Sequence, residues 1–541
     1  MNPSKDLEDL VLTSEDQIPE PFRPSFTDQR IYLCDGRMIP WSGPQTPVSS
    51  PIHMAGDGGS PEPVSLGRVP DLDADRALEC LEAAHRAYDH GRGPWPTLPV
   101  AERLGHIEDF VHRMAARKDQ VVRLIMWEIC KSRKDAEKEF TRTVQYIRDT
   151  IDALKDLDRA SSRFVFQEGI LAQIRRAPLG VALCMGPFNY PLNETFATLI
   201  PALLMGNTVV FKPPKHGCLL YEPLLEAFRD AFPPGVVNMV TGAGSRVIPP
   251  LMESGKVNVF AFIGTSRVAN SLRQRHPKLN RLRCVLGLEA KNPAIVLPDA
   301  DLEVTVRECV LGGLSFNGQR CTALKIFFVH KTLAERFVRD LSDAVSAAPV
   351  GLPWQDPLIT PLAEPGKPDH LASLIQDALA LGARVTNEGG GSRHYSAFRP
   401  AVVYPVDARM RLFHEEQFGP VLPVVPYEDL EEPVRAVIES PYGQQLSLFG
   451  TDPQRMARLI DPLVNQVCRV NLNCQCQRGP DTFPFTGRKD SAESTLSVAD
   501  ALRAFSIRTL VAARDDDADK ALIRTILRER LSRFLSTDFL L

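Results

Sequence analysis

Three things are scarce in this chain of 541 residues, and each scarcity excludes a class of function. No apolar run reaches the roughly 20 residues that a membrane-spanning helix needs. The start, Met1-Asn2-Pro3-Ser4-Lys5-Asp6, has no basic segment leading into an apolar one. Neither a membrane span nor a secretory leader is therefore expected. Excess charge is missing too: 63 basic against 67 acidic residues leave a formal charge of −4, which gives nucleic acid no bulk attraction. The third absence is a cysteine framework. The 11 cysteines are odd in number and scattered; Cys474 and Cys476 lie close, but no second pair or histidine cluster completes a metal site. Reduced thiols in a cytoplasmic protein with no metal are the expectation.

What is present suits a soluble globular protein of two or three domains, with 44% apolar and 24% charged residues. Residues 1–28 are polar with scattered prolines and read as an arm on the surface. Ile31–Arg37 reads as a hairpin turning at Asp35-Gly36, and a Pro/Gly-rich stretch follows from Gly43 to Gly67. Helical periodicity runs over Ala74–His90 and, with breaks, Ala101–Leu157. From Val181 the rhythm changes. Short apolar runs at Val181–Met185, Thr208–Phe211, Val236–Val240 and Val259–Phe262 alternate with amphipathic segments at Asn193–Leu204, Leu219–Ala231 and Ser245–Glu253. That β-α-β-α order predicts an α/β fold with a doubly wound parallel sheet. A second α/β region begins near Ala294, with a strand at Lys325–His330 and helices at Thr332–Ala348 and Leu371–Leu381. Arg163–Ile174 reads as a separate hairpin and Phe505–Ala512 as a late strand. After Arg514 an acidic start, a basic end and the apolar stripe of Ile523, Ile526, Leu527, Leu531, Phe534 and Leu535 predict a helix packed on the body or on a neighbouring subunit.

The chemistry is concentrated at Cys321, in Ser315-Phe316-Asn317-Gly318-Gln319-Arg320-Cys321-Thr322-Ala323. A thiol among small and polar residues is poorly placed for core packing and well placed to be a nucleophile, because a nearby cation or helix terminus favours its thiolate. Upstream, Pro187-Phe188-Asn189-Tyr190-Pro191 holds an amide between two prolines. One group attacks a carbonyl and the other receives the oxyanion.

These segments, with Phe211-Lys212-Pro213-Pro214, Glu415-Glu416-Gln417-Phe418-Gly419-Pro420-Val421 and Gln477-Arg478-Gly479-Pro480-Asp481 before Phe483-Pro484-Phe485, resemble the aldehyde dehydrogenase superfamily over about Ile31–Ala512. Within it the chain is most similar to the NADP-dependent non-phosphorylating glyceraldehyde-3-phosphate dehydrogenases. The resemblance implies a doubly wound cofactor domain (29–160 and 180–289), an α/β catalytic domain (290–485) and a small β oligomerisation module (161–179 and 486–513), followed by the helical tail (514–541). It implies oxidation of glyceraldehyde 3-phosphate to 3-phosphoglycerate by a homodimer or homotetramer. Cys321 forms a thiohemiacetal, Asn189 and the Cys321 N–H hold the oxyanion, and water hydrolyses the resulting thioester. Donors preorganised at an oxyanion are worth about 3–4 kcal/mol in comparable sites.

The same resemblance assigns the NADP contacts. Lys212 follows a strand and grips the adenosine ribose. Lys215 stands where NAD-preferring relatives carry an acid, and so attracts a 2′-phosphate. Gly242 lets backbone approach the adenosine, Gly264 and Thr265 hold pyrophosphate at a helix start, and Glu416 with Phe418 holds the nicotinamide ribose. Arg142, Arg320 and Arg478, together with Tyr190 and Thr322, line the substrate site, where guanidinium groups would receive a phosphorylated aldehyde.

One motif departs from the family. Its usual Leu-Glu-Leu-Gly-Gly-Lys reads Leu286-Gly287-Leu288-Glu289-Ala290-Lys291 here. The position of the glutamate that activates the hydrolytic water therefore holds Gly287. The expectation is that the loop is rearranged so that Glu289 is the catalytic base for the water; the alternative is that the base is absent and the protein is a slow or non-catalytic nucleotide binder.

Overall fold

The computed structural model describes residues 7–56 and 59–539. Two parallel sheets carry the molecule. In the first, Val237–Met239, Thr208–Lys212, Val181–Met185, Val259–Ile263 and Arg283–Gly287 lie side by side in that order, all parallel, with Ala492–Glu493 added antiparallel at the outer edge. These strands are apolar and almost wholly buried, as parallel strands covered on both faces must be. Strand order reverses at Val181–Met185, which pairs with Thr208–Lys212 on one side and Val259–Ile263 on the other. Ligands of open α/β sheets bind at that reversal, beyond the carboxyl ends of the strands. Asn189 follows one of these strands and Gly264 the other.

The second sheet has the order Arg384–Val385, Ala401–Tyr404, Val421–Tyr427, Leu324–His330, Asn292–Val296, Gln445–Phe449 and Arg469–Leu472. All neighbours are parallel except the first pair. Only residues 288–291 separate Arg283–Gly287 of the first sheet from Asn292–Val296 of the second. Cys321 stands just before Leu324–His330. The nucleophile thus enters the amino end of one sheet next to the linker leaving the carboxyl end of the other.

Local chemistry explains the elements. Asp35 and Gly36 both take positive φ (53° and 69°), the geometry that a two-residue hairpin turn requires. Asp73 and Ser132 cap the helices Ala74–Tyr88 and Arg133–Ser161 by accepting backbone N–H groups. Leu219–Ala231 divides into a 3₁₀ turn, Leu219–Leu224, and a short α-helix, Leu225–Ala231; Pro223 supplies no N–H to a continuous ladder.

One expectation is corrected, and two further regions gain detail. The N-terminal arm is not a surface feature over its described part: Leu7, Leu10, Leu12 and Ile18 are buried in the main core, and Leu12 pairs with the segment around Met54. Its first six residues lie outside the described ones. The Pro/Gly-rich stretch from Gly43 contains a long antiparallel pair, Gln45–Met54 with Glu62–Pro70. Within 486–513, Ala492–Glu493 joins the cofactor-type sheet. The rest of that region contributes Ser506–Arg514 to a three-stranded sheet with Ile170–Pro178 and Phe164–Gln167. The tail helix, Asp517–Arg528, packs Ile523 with Leu535 on Leu171, and Gln173 exchanges two hydrogen bonds with the Ser536 backbone.

Candidate active site

Cys321 is partly exposed, in contrast to the eight fully buried cysteines. The loop before it is strained. Phe316, Asn317 and Gly318 take consecutive positive φ of 48°, 55° and 67°. For the two non-glycine residues this costs about 1–3 kcal/mol each. The surroundings hold the strain in place. Asn317 donates Nδ2 to Thr360 Oγ1 (3.1 Å) and accepts the Thr360 N–H (2.9 Å). At Gly318 a Cβ would meet the carbonyl oxygens of Gly313 and Gly419 at 2.6 and 2.8 Å, so only glycine lets the Glu-Glu-Gln-Phe-Gly-Pro loop approach this closely. The Cys321 carbonyl accepts from Asn292 Nδ2 (2.7 Å) and Lys325 Nζ (2.8 Å), while among the described residues its N–H has no acceptor.

Asn189 is buried, and its Nδ2 donates to Gln319 O at 2.7 Å, two residues ahead of the thiol. The amide and the nucleophile, 132 positions apart in sequence, are joined by this one bond. Beneath them is an ion pair that the sequence did not announce. Lys131 Nζ reaches Glu139 Oε2 (2.5 Å) and Asn189 O (2.8 Å), and it lies 3.6 Å from the Tyr190 ring centroid. Glu139 Oε1 accepts the N–H groups of Leu192 and Asn193. Tyr190 and Phe316 meet edge to face at 6.2 Å.

Burial pushes the Cys321 thiol above its ordinary pKa. Glu194 adds to the rise, and Lys325 and Arg478 oppose it. Glu194 is the second functional group absent from the sequence reading. It is a buried acid in the first turn of Asn193–Leu204, and its Oε2 contacts Arg478 Nη1. Arg478 also donates Nε to Asp481 Oδ1 (3.1 Å), and Arg142 grips the same carboxylate with Nε and Nη2 at 2.8 and 2.7 Å. Arg142 and Arg478 therefore converge. Arg320 does not share this cluster: its Nη2 turns back onto the carbonyls of Leu311 and Gly312 at the end of Leu302–Leu314. Thr322 is buried beside Cys321.

At the carboxyl ends of the first sheet, Lys212 is buried with Nζ on Pro213 O (3.0 Å), and its Cε would lie 3.5 Å from a Cβ at Gly244. Lys215 is exposed. Its loop is anchored by Glu128, another group the sequence concealed, which accepts the N–H groups of Gly217, Cys218, Leu219 and Leu220. Gly242 has φ 104° and presses on the Leu72 backbone, which accounts for the glycine by packing alone. Gly264 N donates to Gly287 O (3.0 Å), and Thr265 caps Ser266–Gln274. Glu416 accepts from Lys325 Nζ (2.6 Å) and Ala290 N (3.1 Å), while Phe418 meets Phe188 edge to face at 5.9 Å.

Glu289 is committed elsewhere than to the thiol. Its Oε2 accepts the Ser266 N–H at 2.8 Å, so the carboxylate sits on the amino end of the helix Ser266–Gln274. Gly287 presents no side chain at all.

Residues 62–511 match the family model described as the aldehyde dehydrogenase family. The chain belongs to the aldehyde dehydrogenase family. It is an oxidoreductase-family protein, 32% identical over 450 residues to an NADP-dependent glyceraldehyde-3-phosphate dehydrogenase of Streptococcus equinus, with 82% of this chain and 91% of that one aligned. It is 30% identical over 435 residues to lactaldehyde dehydrogenase of Escherichia coli (strain K12), covering 78% and 86% of the two chains. Its fold superposes with a TM-score of 0.82 on the crystal structure of an NADP-dependent glyceraldehyde-3-phosphate dehydrogenase from Bacillus halodurans C-125 complexed with NADP, at 31% identity over 91% of this chain and 100% of that one. Within this aldehyde dehydrogenase, no helix of the described residues is long and apolar enough to cross a membrane.

Proposed function

We propose that this protein is an NADP-dependent aldehyde dehydrogenase that oxidises a small polar aldehyde, glyceraldehyde or its 3-phosphate, to the carboxylic acid. The observation that carries the reading is the partly exposed Cys321 thiol, with the Asn189 amide anchored two residues before it at the strand-order reversal. The Cys321 sulfur attacks the carbonyl carbon, and the oxygen becomes anionic. Asn189 spends one amide hydrogen on Gln319 O and keeps the second for the oxyanion, beside the Cys321 N–H. NADP, held by the residues named below, would supply the two-electron acceptor for the hydride of the thiohemiacetal carbon. The thioester left on Cys321 is then hydrolysed.

The residues present fit that dinucleotide. The helix Ser266–Gln274 offers its amino terminus to a pyrophosphate, and Glu289, which now accepts the Ser266 N–H there, would have to give that donor up. Gly264 and Thr265 flank that terminus. Exposed Lys215 and buried Lys212 supply the cationic end that a 2′-phosphate requires, Gly242 lies on the adenosine side, and Glu416 with Phe418 lies on the nicotinamide side. The relatives' names point to glyceraldehyde 3-phosphate; of the groups expected to receive it, Arg142 and Arg478 converge, with Tyr190 and Thr322 nearer Cys321, while Arg320 is turned onto the Leu311 and Gly312 carbonyls. A second reading, slow turnover, is favoured by Gly287 and by the engagement of Glu289 with Ser266. Self-association into a dimer or tetramer is supported by exposed Phe166, Ile507 and Leu510 on the three-stranded sheet. All eleven cysteines are free, in keeping with a reducing cytoplasm.

The test is NADPH formation by the purified protein with a panel of aldehydes, without inorganic phosphate, for wild type and Cys321→Ser. Activity lost in the variant supports the reading. Undiminished oxidation in Cys321→Ser, or no cofactor reduction with any aldehyde, overturns it.

A further inference from the structure

Glu194 and Arg478 form a buried pair beside the nucleophile, with side chains 8% and 5% exposed. The cluster that includes them is closed in charge: the guanidinium groups of Arg142 and Arg478 face the carboxylates of Asp481 and Glu194. Arg478 is held further by the Phe485 and Tyr146 rings, whose centroids lie 4.7 and 5.9 Å from its Cζ. Neither Nη atom of Arg478 makes a hydrogen bond; Nη1 is in ion-pair contact with Glu194. Arg478 Nη2 is buried and has no hydrogen-bond partner. Burying such a donor is costly unless something binds to it.

We infer that Glu194 is a specificity-determining residue: it neutralises the guanidinium that a phosphorylated aldehyde would need, and it leaves a site for a small uncharged hydroxyaldehyde whose hydroxyl accepts from Arg478 Nη2. A phosphate dianion requires several charge-assisted donors in excess of local acids. Here Asp481 takes three N–H groups from the two arginines, and Glu194 occupies a fourth. A dianion would also stand against the Glu194 carboxylate, and like charges brought together in a desolvated site are a strong bar to the wrong ligand. A hydroxyl needs one donor and brings no charge. Arg320 does not restore the balance, because it is held on the Leu311 and Gly312 carbonyls at the end of the helix Leu302–Leu314.

This rests on the aldehyde dehydrogenase reading, and the experiment separates the two. Values of kcat/KM are measured with NADP for glyceraldehyde, lactaldehyde and glyceraldehyde 3-phosphate, for wild type, Glu194→Gln and Glu194→Leu. Cofactor binding by fluorescence verifies that each variant is folded. Wild type is expected to favour the uncharged aldehydes by at least about tenfold, and both variants to gain at least about tenfold toward the ester. The wild-type protein supplies a further readout: inorganic phosphate leaves its oxidation of glyceraldehyde uninhibited. A wild-type preference for the ester, a ratio unmoved in folded variants, or competitive inhibition by phosphate overturns the assignment of Glu194 while leaving the dehydrogenase reading intact. Oxidation of no aldehyde by any form overturns both.

Discussion

Replacing Gly287 by glutamate tests how this site completes its reaction. In the proposed reaction deacylation calls for a base near the thioester, where Gly287 has no side chain and Glu289 is engaged by Ser266 N at 2.8 Å. The backbone can accept the change. A Cβ at Gly287 would lie 3.4 and 3.6 Å from Ile263 carbons and 3.8 Å from a Leu496 methyl, which is ordinary van der Waals contact, and the residue is not in the left-handed region. General-base assistance is worth about 10²–10⁴-fold, or roughly 3–5 kcal/mol of barrier. In rapid mixing, wild-type protein should release NADPH in a burst equal to the enzyme and then turn over slowly. Gly287→Glu should shrink the burst and raise the steady rate at least about a hundredfold. Glu289→Gln is the companion variant, and its slow phase should match wild type. A wild type without a burst, combined with a steady rate that collapses in Glu289→Gln and is unchanged in Gly287→Glu, would refute the reasoning and place the base at Glu289.

Three further outcomes are expected. Lys215→Glu should lower the ratio of NADP to NAD kcat/KM at least about tenfold, because the exposed ammonium is replaced by an acid facing the 2′-phosphate; an unchanged ratio would remove Lys215 from the cofactor site. Alkylation of Cys321 by iodoacetamide should climb about tenfold per pH unit from neutrality to the ordinary thiol pKa, since burial and Glu194 hold the thiol's own pKa above that value and the reactive thiolate gains only as pH rises toward it. A plateau below pH 8 would contradict this. Lys131→Met should cost about 3–5 kcal/mol by removing the cation from the buried Glu139 side chain; a denaturant midpoint within error of wild type would show that the pair contributes nothing.

The legible part of this protein was written in local runs. Val181–Met185 and Thr208–Lys212 are continuous apolar segments, and Cys321 and Asn189 stand in short motifs whose composition states their chemistry. The charged groups that complete the site gave no such signal. Lys131 and Glu139 look like two charges in a helix-rich stretch full of them. They join the site because Asn189, Leu192 and Asn193, more than fifty residues later, hydrogen-bond to them. Glu128 likewise acquires its role from four N–H groups about ninety residues away. Glu194 did leave a trace, as an acid in the first turn of a helix that is otherwise apolar or small. The polar composition of residues 1–28 hid Leu7, Leu10, Leu12 and Ile18, whose burial is set by the strand they meet rather than by their neighbours in sequence.

The charged groups around Cys321 act on its thiol. Glu194 disfavours the Cys321 thiolate, while Lys325 and Arg478 favour it. Arg478 is divided between two acids, so its help is already partly spent. A dianionic substrate docked on the same guanidinium would add negative charge beside the sulfur and push the thiolate fraction down as it bound, slowing the attack that binding is meant to promote. An uncharged hydroxyaldehyde leaves that equilibrium where it was. The acid that weakens phosphate binding therefore favours neutral substrates twice, once in affinity and once in the protonation state of the nucleophile. The second contribution can be measured apart from the first: Glu194→Gln should raise the rate of Cys321 alkylation at neutral pH with no substrate present.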